Sequence, residues 1–512
     1  MNGLSSTNTI AKNTLALYLR SICLMIIGLY TSRVILQSLG FVDFGLYNVV
    51  GGIVAMFSFI SGSISNATSR FITIAIGKKE KNLINTTFGN IKILFYLLSI
   101  VVILLGETLG LWFLYYKMQI PIERKNAAFW VYQISILSTV LSLITVPYNA
   151  AIIAHEKMSV FAYMSLFEAI CKLVACYLLY TVSYDRLIVY AIFLFFVEFA
   201  NILINVCYCR KHFVEVKTKP CLHRQQMNEI LKVSGWALSD NISWIMNTQG
   251  LNLLLNTFFG PVVNAARGIA LQVQGVMSQF IVNFQTAVNP QITKQYAISN
   301  YSRMHSLVCL SSKFSFFLLF FMTLPVFLEA PFILKIWLCK VPNGTVFFLQ
   351  IILVYALIST LSNPLWIAVL ATAKLKRFQT YDNIIRLLVV PVSYLGCKFI
   401  GMPAYWVFLI LLLSHFLSLM VRIYIVLPLI KFSYKSYINR VIIPIFLVTL
   451  LAPIIPICFY MSINIGLFRF IILTLVSLFS TGIFIWYLGL NSIERSYILE
   501  KILAKLLSTI RR

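Results

Sequence analysis

Acidic residues, long polar segments and paired cysteines are all scarce in this sequence. Its 512 residues include 41 Lys and Arg but only 15 Asp and Glu, and charged residues of both signs make up 11% of the chain. Hydrophobic residues make up 60%, whereas soluble domains hold about 45 to 50%. The composition excludes an ordinary soluble domain and predicts a polytopic membrane protein.

The polar connections are too short to hold a catalytic domain. None exceeds about 25 residues, whereas typical domains have about 50 to 250. The ten cysteines lie mostly inside apolar runs, without the spacing of a metal site or a disulfide framework. We therefore expect no enzyme activity, no catalytic residues, no metal and no cofactor. A cleavable signal is not expected either, because the polar start runs into a span of full length.

Apolar runs long enough to cross a bilayer as helices recur along the chain. A span needs about 20 residues, and this rule gives about fourteen spans. They fall near residues 15–37, 44–66, 89–114, 128–151, 160–181, 187–208, 234–258, 264–287, 312–336, 346–370, 381–400, 404–427, 440–460 and 466–488. The predicted fold class is an all-α membrane bundle.

Basic residues mark alternate connections, among them 78–81, 210–232, 374–377 and 431–440. Short basic loops stay on the cytoplasmic side, so an even number of spans places both termini in the cytoplasm. Because most of the +26 net charge lies beside spans, we expect membrane lipids as partners and no nucleic acid.

Residues recur in the same order at a nearly constant offset. Gly40 matches Gly260 at 220 residues. The residues Pro147, Ala151, Ala154 and Lys157 recur 217 residues later as Pro364, Ala368, Ala371 and Lys374. This predicts two six-helix lobes, 1–209 and 233–430, joined by a basic linker, 210–232. They would be parallel repeats about an axis along the membrane normal, and residues 431–512 would add a helix pair and a basic tail.

The eighth span is unusually polar. Arg267, Gln274 and Ser278 are seven and four residues apart, which places them on one helical face. Polar groups in lipid should face other helices or water. This face is therefore a candidate cavity wall; the alternative is that its residues only hydrogen-bond between helices.

Five short runs carry a family resemblance: Leu17–Arg20, Leu29–Arg33, Asp43–Tyr47, Pro147–Ala151 and Asn264–Gly268. Over nearly the whole chain, the sequence resembles bacterial polysaccharide flippases of the O-antigen (Wzx-like) type, in the multidrug/oligosaccharidyl-lipid/polysaccharide exporter superfamily. The resemblance implies two six-helix lobes plus a terminal pair. It also implies export of an undecaprenyl-diphosphate-linked oligosaccharide across the bacterial inner membrane, alongside polysaccharide-assembly proteins.

The resemblance further implies a cationic cavity between the lobes and alternating access. Arg20, Arg33 and Arg267 lie within the matching motifs and would bind the diphosphate. Arginine suits this role because its planar fork binds phosphate oxygens bidentately. Groups available to the sugar are Tyr47, Asn48, Asn264 and Gln274.

Two acid and base pairs lie within spans. Glu168 and Lys172 are four residues apart, as are Asp382 and Arg386, both in the favourable acid-first order. We expect structural ion pairs; the alternative is that one acid exchanges a proton or a sodium ion during transport.

Other intramembrane acids lack a partner nearby in the sequence. Glu198 and Asp240 are therefore further candidates for coupling. Glu107 and Glu329 lie toward outer helix ends and are expected to be solvated.

Three other functions remain open at this stage. A multidrug cation antiporter of the same superfamily should prefer acidic cavity residues. A polymerase or ligase acting on lipid-linked sugar should have a sizeable periplasmic loop with clustered Arg, His or carboxylates. An uncoupled scramblase has no distinguishing sequence feature.

Overall fold

The chain is helical throughout its described part. The computed structural model describes residues 2–57, 68, 72, 81–155, 157–218, 223, 224, 227, 228, 242–372, 374, 376–492 and 494–496. These residues form helices and connections without any strand. Eleven helices among them are long and apolar enough to cross a membrane. The all-α, polytopic fold class is confirmed.

The described residues up to Ala297 form eight α-helices. They are α1 (Asn2–Phe57), α2 (Lys81–Leu105), α3 (Leu111–Tyr116), α4 (Lys125–Ala154), α5 (Met158–Leu178), α6 (Arg186–His212), α7 (Leu251–Phe259) and α8 (Pro261–Ala297). A π-helical turn, Gly106–Gly110, joins α2 to α3, and another, Met246–Gly250, leads into α7.

The second half continues the series. Its helices are α9 (Tyr301–Leu328), α10 (Ala330–Leu338), α11 (Thr345–Thr372), α12 (Lys376–Leu395), α13 (Ala404–Leu429), α14 (Tyr434–Tyr437), α15 (Ile443–Leu451), α16 (Ile454–Ser462) and α17 (Leu467–Phe484). Further π-helical turns follow α12, α14 and α17.

The difference between the eleven apolar helices and the larger number of predicted spans has a simple origin. The first predicted span and the described part of the second lie within α1, and the seventh is described only from Ile242. The eighth is α8, which the glutamines and asparagines make too polar to count as an apolar span.

Two glycines interrupt helices with the same backbone conformation. Gly40, inside α1, has φ 78° and ψ 178°, and Gly260, between α7 and α8, has φ 79° and ψ −179°. This region of backbone space is essentially restricted to glycine. Because the two residues also match in the sequence repeat, their shared conformation supports a duplication.

We expect Gly40→Ala to lower the free energy of unfolding by about 1 to 3 kcal/mol, because alanine is strained at this φ and ψ. Gly260→Ala should behave alike. Gly28→Ala is the matched control, since Gly28 lies in regular helix with open space around it, and alanine there should be neutral or stabilising by up to about 1 kcal/mol. Thermal unfolding in detergent measures all three; equal melting temperatures would contradict the assigned strain.

The chain packs into two compact units. The first comprises Met1–Gln272, Pro342–Thr345 and Arg386–Val407, and the second comprises Val273–Val341, Val346–Ile385 and Phe408–Arg512. In the second unit, Arg469 of α17 binds the buried Glu329 beside α10, with 2.7 Å from Nε to Oε1. This ion pair attaches the last long helix to its unit. The lobe boundaries drawn from the repeat stay a prediction.

The start of the basic linker is anchored inside the first unit. Buried Lys92 donates to the carbonyl oxygens of Val216 and Thr218 at 2.7 and 3.0 Å. His155 Nε2 lies 2.6 Å from Glu215 Oε1. Burial alone raises the pKa of the Glu215 carboxyl, but the hydrogen bond from His155, a backbone hydrogen bond and the charge of His155 together outweigh burial and bring that pKa below its ordinary value.

Candidate substrate and ion sites

The part of α1 that follows Gly40 has two polar faces. Tyr47 and Gly51, one turn apart, line a cavity within the first unit. Gly45, Asn48 and Gly52 instead face the segment that contains α7 and the start of α8. This short helix therefore separates a charged cavity from an asparagine cluster.

The charged cavity has a volume of about 270 Å³. Lys172 contacts the carboxylate of Glu168, and its Nζ also lies 3.3 Å from Glu198 Oε1. Asn201 donates to Glu168 Oε2 at 3.0 Å. Two carboxylates thus share one ammonium group. With all three ionised, the group carries a net charge of −1.

Oxygen atoms line part of the rest of this cavity, beside the apolar side chains of Val54, Ile134, Ala191 and Leu194. Ser135, Ser138 and Thr139 contribute hydroxyl groups, and Tyr47 packs edge to face on Tyr190 with ring centroids 5.0 Å apart. Oxygen ligands around surplus negative charge suit a small hard cation or a proton.

The asparagine cluster joins α1, α7 and α8. Asn252 donates to the Asn48 carbonyl at 3.1 Å, and Asn264 donates to the carbonyl and side-chain oxygens of Asn252 at 2.7 and 2.6 Å. A Cβ at Gly45 would lie 1.9 Å from the Pro261 carbonyl oxygen, so the backbones touch there.

In this region, three asparagine side chains each have one buried amide atom without a hydrogen-bond partner among the described residues. These atoms are Oδ1 of Asn247, Oδ1 of Asn264 and Nδ2 of Asn256. An orphaned buried amide is costly, so such groups often serve a ligand or a water. The sequence analysis missed Asn252 and Asn256, although three asparagines within one apolar run were a visible signal.

Two of the predicted arginines lie on adjacent helices. Gln272 of α8 donates to the Gly28 carbonyl of α1 at 2.7 Å. This bond and the contact between Gly45 and Pro261 tie the helices together at two levels, so α8 runs antiparallel to the first part of α1. Arg33 and Arg267 each lie five residues from the hydrogen bond, and at a rise of about 1.5 Å per residue they share a level.

Arg267 is 5% exposed, and its Nη2 donates to the Thr248 carbonyl at 2.8 Å. Arg33 is half-buried. Arg20 also belongs to α1, but its side chain lies outside the described part of the structure.

Other predicted site residues lie in different surroundings. Gln274 donates to Ser278 at 3.3 Å, which confirms that these two share a face of α8. The carbonyl of Arg386 accepts from Asn247 at 3.3 Å.

The buried carboxylate of Asp382 has partners that the sequence analysis missed. Arg422 of α13 donates to it at 2.8 Å, and Ser418 also donates to it. The pairing of Asp382 with Arg386 stays a prediction.

The intramembrane acids need one correction. Glu329 is fully buried and paired with Arg469, so the expectation that it is solvated is wrong. Glu107 is exposed, as expected. Asp240 lies outside the described residues. The sequence did not reveal an ion cluster in which Arg124 binds Asp43 and Asp185. Its Nε donates to Asp43 Oδ1 at 2.8 Å, and its Nη1 donates to Asp185 Oδ2 at 2.7 Å.

The fold is that of a known class of membrane transporters. No protein-family model matches the sequence, and no curated protein matches it. Solved structures do match, and they are transporters of the MOP superfamily. The chain therefore shares its fold with these transporters.

Three solved structures illustrate the similarity. One is the lipid II flippase MurJ in an inward closed conformation, with a TM-score of 0.69, 14% identity, and coverage of 93% of this chain and 98% of that one. Another is an inward-facing multidrug resistance MATE family transporter, with a TM-score of 0.64, 14% identity, and coverage of 82% of this chain and 95% of that one. A third is a MOP superfamily transporter from Pyrococcus furiosus with a binding pocket of reverse polarity. Its TM-score is 0.57 and its identity 15%, and the match covers 83% of this chain and 97% of that one. At such identities, the similarity shows the fold alone.

Proposed function

We propose that this chain is a flippase that moves an undecaprenyl-diphosphate-linked oligosaccharide from the cytoplasmic to the periplasmic leaflet by alternating access. The observation that carries the proposal is the placement of Arg33 and Arg267 at one level on adjacent helices. Each guanidinium group can bind phosphate oxygens as the diphosphate passes this level.

The arginine pair addresses the main barrier to flipping. An isolated charge in the bilayer core is very costly, and a diphosphate brings about two negative charges. Guanidinium groups bind phosphate oxygens bidentately and stay charged in a protein. Two of them lie on neighbouring helices, and Arg20 lies nearer the start of α1. Together they would provide a path for the headgroup that needs no covalent chemistry.

The asparagine cluster beside the arginines supports a sugar as the group that follows the diphosphate. Asn48 and Asn264 belong to it, and the unpartnered amide atoms of this region can exchange hydrogen bonds with hydroxyl groups. MurJ, whose fold this chain shares, is a flippase for lipid II. That activity supports a lipid-linked substrate here.

The charged cavity supports coupling of transport to an ion. Glu168, Lys172 and Glu198 leave one negative charge uncompensated. One proton or one sodium ion would neutralise it, which is what an exchange site must do. We assign Glu198 this role, because its contact to Lys172 is long at 3.3 Å, whereas Glu168 also accepts from Asn201.

The same cavity favours a second candidate, a multidrug cation antiporter. Its surplus negative charge could bind an organic cation, and MATE transporters share the fold. At about 270 Å³, however, the cavity lies below the usual size of drug sites, about 300 to 1,000 Å³. If the chain is such an antiporter, deleting the gene should raise the sensitivity of the cells to cationic drugs and leave surface polysaccharide unchanged.

We expect deletion of the gene to make a lipid-linked oligosaccharide accumulate on the cytoplasmic face of the inner membrane. Radiolabelled lipid extracts identify the oligosaccharide. Protection of its sugar from a membrane-impermeant glycosidase in intact spheroplasts shows which leaflet holds it. Accumulation in the periplasmic leaflet would point to a polymerase or ligase, and absence of any accumulation would overturn the proposed function.

A further inference from the structure

A basic and aromatic cavity opens at one end of the second unit. It has a volume of about 620 Å³. Lys374, Lys376 and Arg377, around the start of α12, line it together with Tyr424 near the end of α13 and Tyr434 of α14. By the predicted orientation, this end faces the cytoplasm.

The chain provides little to neutralise these three cations. Between Glu329 and Glu494, the sequence contains a single acidic residue, Asp382. That carboxylate is buried and bound by Arg422 and Ser418. Among the described residues that line the cavity, three are cations and none is a carboxylate.

The helix ends at the cavity act in opposite directions, because the C-terminal end of α13 carries a partial negative charge and offsets part of the positive charge. The positive end of the α12 dipole adds to the charge of Lys376 and Arg377. At the end of α13, the carbonyl of Leu427 already accepts from the Phe432 amide at 2.8 Å, and that of Tyr424 accepts from the Tyr434 hydroxyl at 2.8 Å. An anionic ligand in this cavity would therefore meet three cations and no carboxylate among the described residues that line it.

An apolar stripe leads away from the cavity along α13. It consists of Leu413, Leu417, Met420 and Tyr424, which are 57, 46, 42 and 66% exposed. Their spacing of three or four residues places them on one helical face. A ligand that fills the cavity and covers this stripe has an anionic head and an apolar tail.

We propose that this cavity binds the headgroup of an anionic glycerophospholipid from the surrounding leaflet, with its acyl chains along the stripe. Arg377 holds the phosphate through its planar fork, the two lysines add charge, and the tyrosines lie at the level of the headgroups. The stripe favours a lipid over free phosphate, which has no apolar part. The residues of this site belong to the second unit, whereas Arg33 and Arg267 belong to the first.

The test uses the full chain in nanodiscs of equal phosphatidylglycerol and phosphatidylcholine, with retained lipid measured by native mass spectrometry. Each basic residue at an anionic surface contributes roughly a fivefold gain in binding, so three should favour phosphatidylglycerol roughly a hundredfold. We expect the Lys374→Gln, Lys376→Gln, Arg377→Gln variant to lose most of this preference. Arg377→Lys should lose only part of it.

The matched control removes three exposed lysines at or beside the predicted periplasmic ends of spans, by Lys335→Gln, Lys340→Gln and Lys398→Gln. It should keep the preference for phosphatidylglycerol. An equal loss in both variants would show that net charge alone attracts the lipid and would overturn the site. Displacement of the lipid by millimolar inorganic phosphate would instead assign the cavity to free phosphate, which also overturns the proposal.

Discussion

Replacing Arg267 with alanine should reduce export of the lipid-linked oligosaccharide roughly 10- to 100-fold while the protein remains in the membrane. The substitution removes one of two guanidinium groups at the level where the diphosphate would pass. Hydrogen bonds to charged groups contribute about 1.5 to 3 kcal/mol each, which corresponds to this range. The measurement is the rate at which surface polysaccharide appears, divided by the amount of protein in isolated membranes.

Arg267 also donates to the Thr248 carbonyl, so a loss of export needs separation from a loss of folding. Arg267→Lys keeps the charge without the fork and should retain intermediate activity. Arg303→Ala removes an exposed arginine from α9 and should leave export unchanged. Full export by Arg267→Ala would remove this residue from the site, and a loss of membrane protein that matches the loss of export would assign it a structural role.

Hydrophobic runs predicted the fold class well because a bilayer leaves the backbone few choices. In lipid, each amide must be satisfied inside its own segment, so an apolar run of sufficient length becomes a helix. The polar α8 was also recognised, but its extent was not. It runs from Pro261 to Ala297, beyond the predicted span 264–287. Hydrophobicity marks only the part of a helix that lies in lipid, and a helix can continue beyond the membrane surface.

Ion pairs between helices could not be predicted from a single sequence. The rule for neighbours on one helix found Glu168 with Lys172, which are four residues apart. It could not find Glu198 with Lys172 or Glu329 with Arg469, because these partners meet only through packing of different helices. An unpaired acid in a span was still informative, since it pointed to Glu198 before its partner was known.

Several predicted site residues lie near one another, while their role stays a prediction. Asn264 and Arg267 were selected from a motif and Asn48 as an amide donor for the sugar, and they lie in or beside one asparagine cluster. Tyr47 was selected with Asn48, but adjacent residues on a helix point in different directions, and Tyr47 lines the charged cavity instead. Motifs record which residues occur together in the sequence, whereas the helical turn decides which of them share a surface.

The charged cavity gives the second large effect, since Lys172 balances two carboxylates. Lys172→Gln should lower the free energy of unfolding by about 1 to 2 kcal/mol. This is less than the loss for a fully buried pair, about 3 to 5 kcal/mol, because the Lys172 side chain is 36% exposed. Thermal unfolding in detergent measures the loss, and an unchanged melting temperature would contradict the assigned pairing.

Two double variants separate an ion pair from a coupling site. Lys172→Gln with Glu168→Gln leaves Glu198 as the only charge, and Lys172→Gln with Glu198→Gln leaves Glu168. Both should recover part of the stability that Lys172→Gln loses, since each removes one of the two unbalanced carboxylates. If Glu198 exchanges the ion, only the first should keep transport driven by a proton or sodium gradient in proteoliposomes, and the second should fall at least tenfold. The opposite result would assign coupling to Glu168, and full activity in both would leave the cluster a structural one.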